Sequence, residues 1–404
     1  MNMKKNALTM LWAILFLAGC ANPLTSTPLP ATSIPVLQTA ITPPMTILPK
    51  PTLTATPESR FTRQCLQIED SEVELEKVVS GTILLGQLNP DTPPPGDEFL
   101  FLKDIQTGSE YKLPADSKVS LFLGVEISPN RKMLAQLEVL STGQGKEWTE
   151  TGNVLWVFDA RAKVISKMDL HRNDLVALYW LDDERLLIET ADYGKLLLVN
   201  PFTGEQQLIA NELPHLSKYV KDGLWWPVVY SPDLKWVVYD SEDSQMIGPV
   251  VYDLVTKQIL WNAKVGVGSD AAWSPDGQEV AFTGGINDEY QLYLFSRSGQ
   301  VKAVLGENQP HKGRAFSWSP DGRYIAFWNA DSLMVYDRQT DWVFDTCIPG
   351  GVTYSPTWSP DSQKLIVNEY SGQSILVDWQ QKVAYKIKYT QNLGIGDVWM
   401  NSLP

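Results

Sequence analysis

The chain has 404 residues, 44% hydrophobic and 20% charged, and its 47 Asp and Glu against 33 Lys and Arg leave a formal net charge of −14. That balance excludes a nucleic-acid surface, which needs clustered Lys and Arg, and favours a soluble, exported unit.

At the N-terminus, Lys4 and Lys5 precede an apolar stretch from Ala7 to Leu17, short for a permanent bilayer span, that ends at Leu17-Ala18-Gly19-Cys20. Residues 1–19 read as a signal peptide. The last four residues resemble the bacterial lipoprotein signal, and this resemblance implies cleavage before Cys20, which then becomes the lipid-carrying first residue. Residues 20–60 are Thr, Pro, Ser and Ala with almost no charge. Such a segment cannot build a core and reads as a disordered tether. In polyproline geometry, about forty residues reach up to about 120 Å.

From Glu126 onward the chain repeats one phrase: an aromatic or aliphatic residue, Ser-Pro-Asp-Gly or a relative, then a short apolar run. The copies are ISPNRKMLA from Ile127, WLDDERLLI from Trp180, YSPDLKWVV from Tyr230, WSPDGQEVAF from Trp273, WSPDGRYIAF from Trp318 and WSPDSQKLIV from Trp358. The turn acid or amide of each copy (Asn130, Asp183, Asp233, Asp276, Asp321, Asp361) follows the last by 53, 50, 43, 45 and 40 residues. Pro presets φ for a tight turn, and Ser and Asp bond nearby amides. The phrase therefore reads as strand, turn, strand. The runs that follow, such as Tyr324-Ile325-Ala326-Phe327, are apolar on both faces, as expected for a sheet sandwiched between two others. A strand-filled period of this length predicts an all-β, seven-bladed propeller over residues 61–404, with six or eight blades as the neighbouring counts.

The phrase resembles the WD-repeat-like propeller repeat of the TolB-like family, W-S-P-D-G-x-x-[IL]-A-F, most closely at Trp273, Trp318 and Trp358. The copies at Asn130 and Asp183 depart from it, so their blades rest on the period. The resemblance covers the chain from about Glu72. It implies fold, because propellers host scaffolds and unrelated enzymes alike.

The first blade has middle strands in Gly81–Leu85 and Phe99–Leu102 but no phrase of its own. Its innermost strand is expected from Ile395–Met400, which looks like the lead-in Asp270–Trp273, with the alternating stretch Val73–Val79 as the competing source. With Cys20 assigned to lipid, Cys65 and Cys347 remain. A bond between them would staple the N-terminal lead-in to the outer edge of blade six; the alternative is two separate buried thiols.

The chain has no Gly-x-Ser-x-Gly elbow and no metal-ligand spacing. The Ser-x-Asp-Gly turns at Ser274 and Ser319 lack the Thr-Trp of a sialidase Asp-box. The acids at Asp91–Asp97 and Asn287–Glu289 read as solvated loops. No cofactor is expected. The three histidines, His171, His215 and His311, all fall between blades, where connections gather around the channel mouth. With Arg172, Trp225, Lys312 and Arg314 they define a candidate binding rim. The expected function is a non-catalytic binding or scaffolding module for a protein or envelope polymer, extracytoplasmic, monomeric and anchored to a bacterial membrane. The alternative is a lyase or hydrolase acting on a glycan or peptide at the channel mouth.

Overall fold

The computed structural model describes residues 60–88, 98–113, 125–142, 149–190, 195–210, 213–214, 228–241, 248–262, 266–286, 289–310, 316–329, 332–349, 355–368, 373–387 and 395–402. Residues 1–50 and 51–404 are separate units, and every described strand belongs to the second. The signal and most of the tether lie outside the described residues.

Seven antiparallel sheets follow one another along the chain, each a meander running from the channel outward. The inner strands of blades two to seven are Val125–Ile127, Leu175–Trp180, Val229–Tyr230, Gly266–Trp273, Phe316–Trp318 and Thr357–Trp358. Each ends at its copy of the repeated phrase. Blade one takes its inner strand from the C-terminus: Ile395–Met400 pairs with Thr82–Leu88, with Ile83 opposite Trp399 and Thr82 opposite Met400. The ring is thus closed by both ends of the chain, which removes an open sheet edge. Val73–Val79 does not compete for that place. It finishes the strand Gln67–Val73 and then makes a short 3-10 turn at Leu75–Lys77.

Two N-terminal strands extend the ring sideways. Arg60–Arg63 runs parallel to Trp342–Pro349 on the outside of blade six, and Gln67–Val73 runs parallel to Val383–Ile387 on the outside of blade seven. Between them, Cys65 is disulfide-bonded to Cys347, with Cα atoms 4.7 Å apart.

The repeated phrase folds as a small hydrogen-bonded unit. In blade five, Ser274 Oγ donates to Asp276 Oδ1 at 2.6 Å and accepts the amide of Glu279 at 3.0 Å, while Asp276 Oδ1 accepts the amide of Gln278 at 3.0 Å. The same trio recurs around Ser128, Ser231, Ser319 and Ser359. These hydroxyls are buried, so the serine satisfies a backbone amide that water cannot reach. The fourth turn residue is left-handed in all five, at φ 60° for Gly277 and 70° for Gly322 but also at 56° for Arg131, 53° for Leu234 and 61° for Ser362. Blade three has one residue fewer between Trp180 and Leu186. There Asp182 takes over, accepting the amides of Glu184 and Arg185 and the Arg185 guanidinium.

The cores lie between blades. Trp328, Val335 and Phe344 of blade six meet Trp358, Leu365 and Trp379 of blade seven, and equivalent clusters fill the other seams. Inner-strand indoles stitch neighbours together: Trp180 donates to Glu126 O, Trp273 to Val229 O, Trp318 to Ala272 O and Trp358 to Ser317 O, at 3.1, 3.0, 3.3 and 3.3 Å. Trp399 is fully buried at the seam of blades seven and one and donates to Ser80 O at 3.0 Å. Truncating so large a core side chain costs about 3–5 kcal/mol. Trp399→Ala should therefore lower the unfolding free energy from denaturant titration by that much, with a correspondingly lower midpoint, and deletion of Gly396–Pro404 should yield an aggregating chain. An unchanged midpoint in either variant would show that closure does not depend on this strand.

Candidate binding face

Meander topology gives the ring two unlike faces. One carries the phrase turns and the short turns between third and fourth strands, and all of these are described. The other carries the second-to-third loops and the inter-blade connections, which lie largely outside the described residues. The candidate rim belongs to this connection face.

Two rim residues are described. His171 stands between Val164–Asp169 and Leu175–Trp180 with φ 51° and an 83% exposed side chain, its Nδ1 3.3 Å from Asp169 Oδ1. Asp169 also accepts the His171 amide at 2.8 Å, which holds this left-handed corner. Beside it, the Arg172 guanidinium binds Asp174 through both ends, at 2.8 and 2.5 Å. The connection thus presents an imidazole and a guanidinium, each beside its own carboxylate. His215, Trp225, His311, Lys312 and Arg314 lie outside the described residues, as do Cys20, Asp91–Asp97 and Asn287–Asp288. Among the described residues, no group of three or more His, Cys, Asp or Glu could hold a metal.

Two charged side chains escaped the sequence reading. Glu189, in the second strand of blade three, is 4% exposed and its Oε1 has no hydrogen-bond partner. Strand alternation puts it on the same surface as Leu187, which packs in the seam with blade four. Burial raises its carboxyl from the ordinary 4.5 to about 8, so it is a neutral acid at physiological pH. Its only trace in the sequence is one acid inside the run Leu186-Leu187-Ile188-Glu189-Thr190. Other buried side chains share this lack of partners: Asn153 at both polar atoms, Gln136 at Oε1 and Asn329 at Oδ1.

Arg131 occupies the turn position that glycine takes in blades five and six. Its Nη1 donates to Trp358 O at 3.2 Å and Trp399 O at 2.9 Å, spanning blades seven and one. Burial lowers its pKa to about 10, which still leaves it a cation. The turn backbone also meets the chain end: Asn401 donates its amide to Arg131 O and its Nδ2 to Asn130 O, at 2.8 and 2.7 Å. Blade one has no phrase turn, and Arg131 fills that gap.

No family model and no curated protein matches this chain. Among solved structures it is similar to a candidate 6-phosphogluconolactonase from Bacteroides fragilis NCTC 9343, at 14% identity and TM-score 0.46 over 79% of this chain and 96% of that one. A second candidate 6-phosphogluconolactonase, from Bacteroides uniformis ATCC 8492, gives 13% identity and TM-score 0.47 over 80% and 98%. TolB from Acinetobacter baumannii gives 16% identity and TM-score 0.41 over 77% and 80%. The assignment as a seven-bladed β-propeller rests on the chain's own strand pairing.

The Glu189 proton has a measurable consequence. The unfolded carboxyl ionises near 4.5 and the folded one near 8, so folding takes up a proton between these values. Stability is full below the unfolded value and falls as pH rises toward 8, by up to about 1.4 kcal/mol per pH unit. Glu189→Gln should leave the melting temperature nearly unchanged at pH 5 and raise it clearly at pH 8. Parallel pH profiles for the two proteins would show that the carboxyl ionises normally in the fold.

Proposed function

We propose that this propeller is a membrane-anchored, extracytoplasmic binding or scaffolding module for a protein or envelope polymer, tethered through lipid on Cys20. The observation that carries the reading is the Cys65–Cys347 bond, which ties the segment following the tether to blade six. Disulfides persist in oxidising compartments outside the cytosol, and this one lies where tension on the tether enters the ring. A closed ring with cores between all blades suits a rigid platform. The connection face, with His171 exposed, supplies its binding surface. The enzyme reading draws on Glu189, a proton-bearing acid of the kind general-acid chemistry uses. Its side chain faces the seam with blade four, and this favours a structural role.

Intact mass and N-terminal peptide analysis of membrane-extracted protein should find an acylated Cys20 and no free thiol at Cys65 or Cys347. Reducing the bond should cost about 2–5 kcal/mol. A mature chain starting elsewhere without lipid would refute the anchor, and two free thiols the oxidised compartment.

For the binding role, the immobilised full chain should retain one envelope component, and His171→Ala with Arg172→Ala should weaken retention about tenfold, equivalent to about 1.4 kcal/mol. Equal retention by the variant would remove this corner from the binding surface. Turnover of a glycan or peptide, abolished by Glu189→Gln, would instead establish the enzyme.

A further inference from the structure

On the turn face, the third-to-fourth-strand turns of blades two to four differ from the rest. Among the described residues, seven large apolar side chains are exposed, and four sit on or directly after these turns: Phe202 at 43% and Val255 at 71% on the turns of blades three and four, and Val164 at 39% and Ile165 at 44% at the start of the outer strand of blade two. At the position of Phe202 and Val255, blade two presents Arg161 and blades one, five, six and seven present Gln106, Ser298, Gln339 and Gln380. In blades five and six the turn arginines are committed inward, Arg297 to Asp233 and Arg338 to Asp276.

The turns that carry Phe202 and Val255, and the one that precedes Val164 and Ile165, are stiff. Asp159 Oδ1 accepts the amides of Arg161 and Lys163, Asn200 Oδ1 those of Phe202 and Thr203, and Asp253 Oδ1 those of Val255 and Thr256. Such turns hold their tips outward without help from a neighbour. The caps also engage the nearest acids, Asp159 and Asp253, in backbone bonds. Exposed Lys163, Lys235 and Lys257 flank the tips, with Glu184, Asp233 and Glu205 as the exposed acids on the turns of these blades, Asp233 paired with Arg297. Apolar tips beside cations match the layered chemistry of a bilayer surface, where acyl chains lie beneath phosphates.

The chain enters the ring on this same face. Arg60 pairs with Trp342, at the start of the outer strand that follows the Arg338–Asp341 turn, and the two strands are parallel. Arg60, the first described residue, therefore lies on the side that carries the apolar tips.

We infer that the turn face of blades two to four docks on an anionic lipid surface, with Ile165, Phe202 and Val255 entering the headgroup boundary and Lys163 and Lys257 meeting phosphates. The inference rests on the anchored reading above, because a few side chains bind a bilayer weakly and a tether supplies the high local concentration they need. Docked this way, the ring turns its connection face, with His171, away from the membrane.

The test uses the full acylated chain on vesicles of phosphatidylethanolamine and phosphatidylglycerol, with an environment-sensitive fluorophore on Val255→Cys or, as the opposite-face control, on His171→Cys. A blue shift and quenching by brominated acyl chains are expected at position 255 and absent at 171. A second arm floats the unacylated Cys20→Ala chain with the same vesicles. It should bind weakly, and adding Ile165→Ser, Phe202→Ser and Val255→Ser, all surface changes, should reduce flotation several-fold. If the acylated chain floats while the label at 255 stays water-exposed, docking is overturned and anchoring stands. If wild-type protein carries no lipid but the Cys20→Ala chain floats through the three side chains, anchoring fails and docking stands. Flotation of the Cys20→Ala chain that ignores the three substitutions also overturns docking.

Discussion

The bond from an inner-strand indole to a backbone carbonyl of the preceding blade sets the geometry of this ring. At the seams of blades two and three, four and five, five and six, and six and seven, the acceptor is the residue before the neighbour's own Ile, Tyr or Trp at the phrase start: Glu126, Val229, Ala272 and Ser317. A buried indole N–H without an acceptor would be costly, so each tryptophan fixes both spacing and rotation between two sheets. The apolar clusters then fill a gap whose width is already determined. Blade two has Ile127 and blade four Tyr230 in this position, and blade one turns Trp399 toward Ser80 O. Arg131 compensates at the closing seam, reaching the Trp358 and Trp399 carbonyls from blade two.

A second tier of ties lies at the turns. Asp276 has its carboxyl held below the ordinary range: burial pushes it up, but the Ser274 hydroxyl, the Gln278 amide and Arg338 outweigh that. Asp233 follows the same logic with Ser231, Lys235 and Arg297. The acid of these two phrases thus serves its own turn and receives the arginine of the next blade, so local and inter-blade order share one carboxylate. Elsewhere the tie is rebuilt from other chemistry, with Asp183 accepting the Asn130 amide and Ser362 the Asp321 amide. At the corresponding place in blade seven, Trp379 packs edge-on against Tyr324 and Phe344.

Most of the fold was legible because each blade must satisfy the same buried amide with the same residues, and that requirement prints a repeat. The C-terminal strand was legible for a related reason, since Asp397-Val398-Trp399 copies the lead-in of a blade whose turn is missing. The strands Arg60–Arg63 and Gln67–Val73 were not. A parallel strand laid on an existing edge needs neither turn nor phrase, and its residues face solvent on one side, so nothing marks it except the cysteine between the two. Arg131 was hidden because it stands where the repeat calls for glycine, and its reach across two seams exists only in three dimensions. Glu189 and the apolar tips were hidden by composition: one acid in an apolar run, or a lone Val255 in a turn, acquires meaning only from what faces it. The rim was read from topology alone, and the two members that are described, His171 and Arg172, share a single connection.

The N-terminal strap bears on how such a ring could work at a membrane. On the proposed reading, any pull along the tether reaches the fold at Arg60, where the first support is an edge strand that backbone bonds alone would let peel away one residue at a time. The disulfide to Cys347 lies five residues further on and stops that process after the single short strand Arg60–Arg63 on blade six. Beyond it, Leu66 is packed in the core between blades six and seven, and Gln67–Val73 clamps the second of these blades. Load is therefore spread over two adjacent blades, both of which carry the full indole tie to their predecessors. The closing seam between blades seven and one, held by Trp399 and Arg131, lies next to this reinforced pair. The strap thus strengthens the ring beside the one place where its two ends meet.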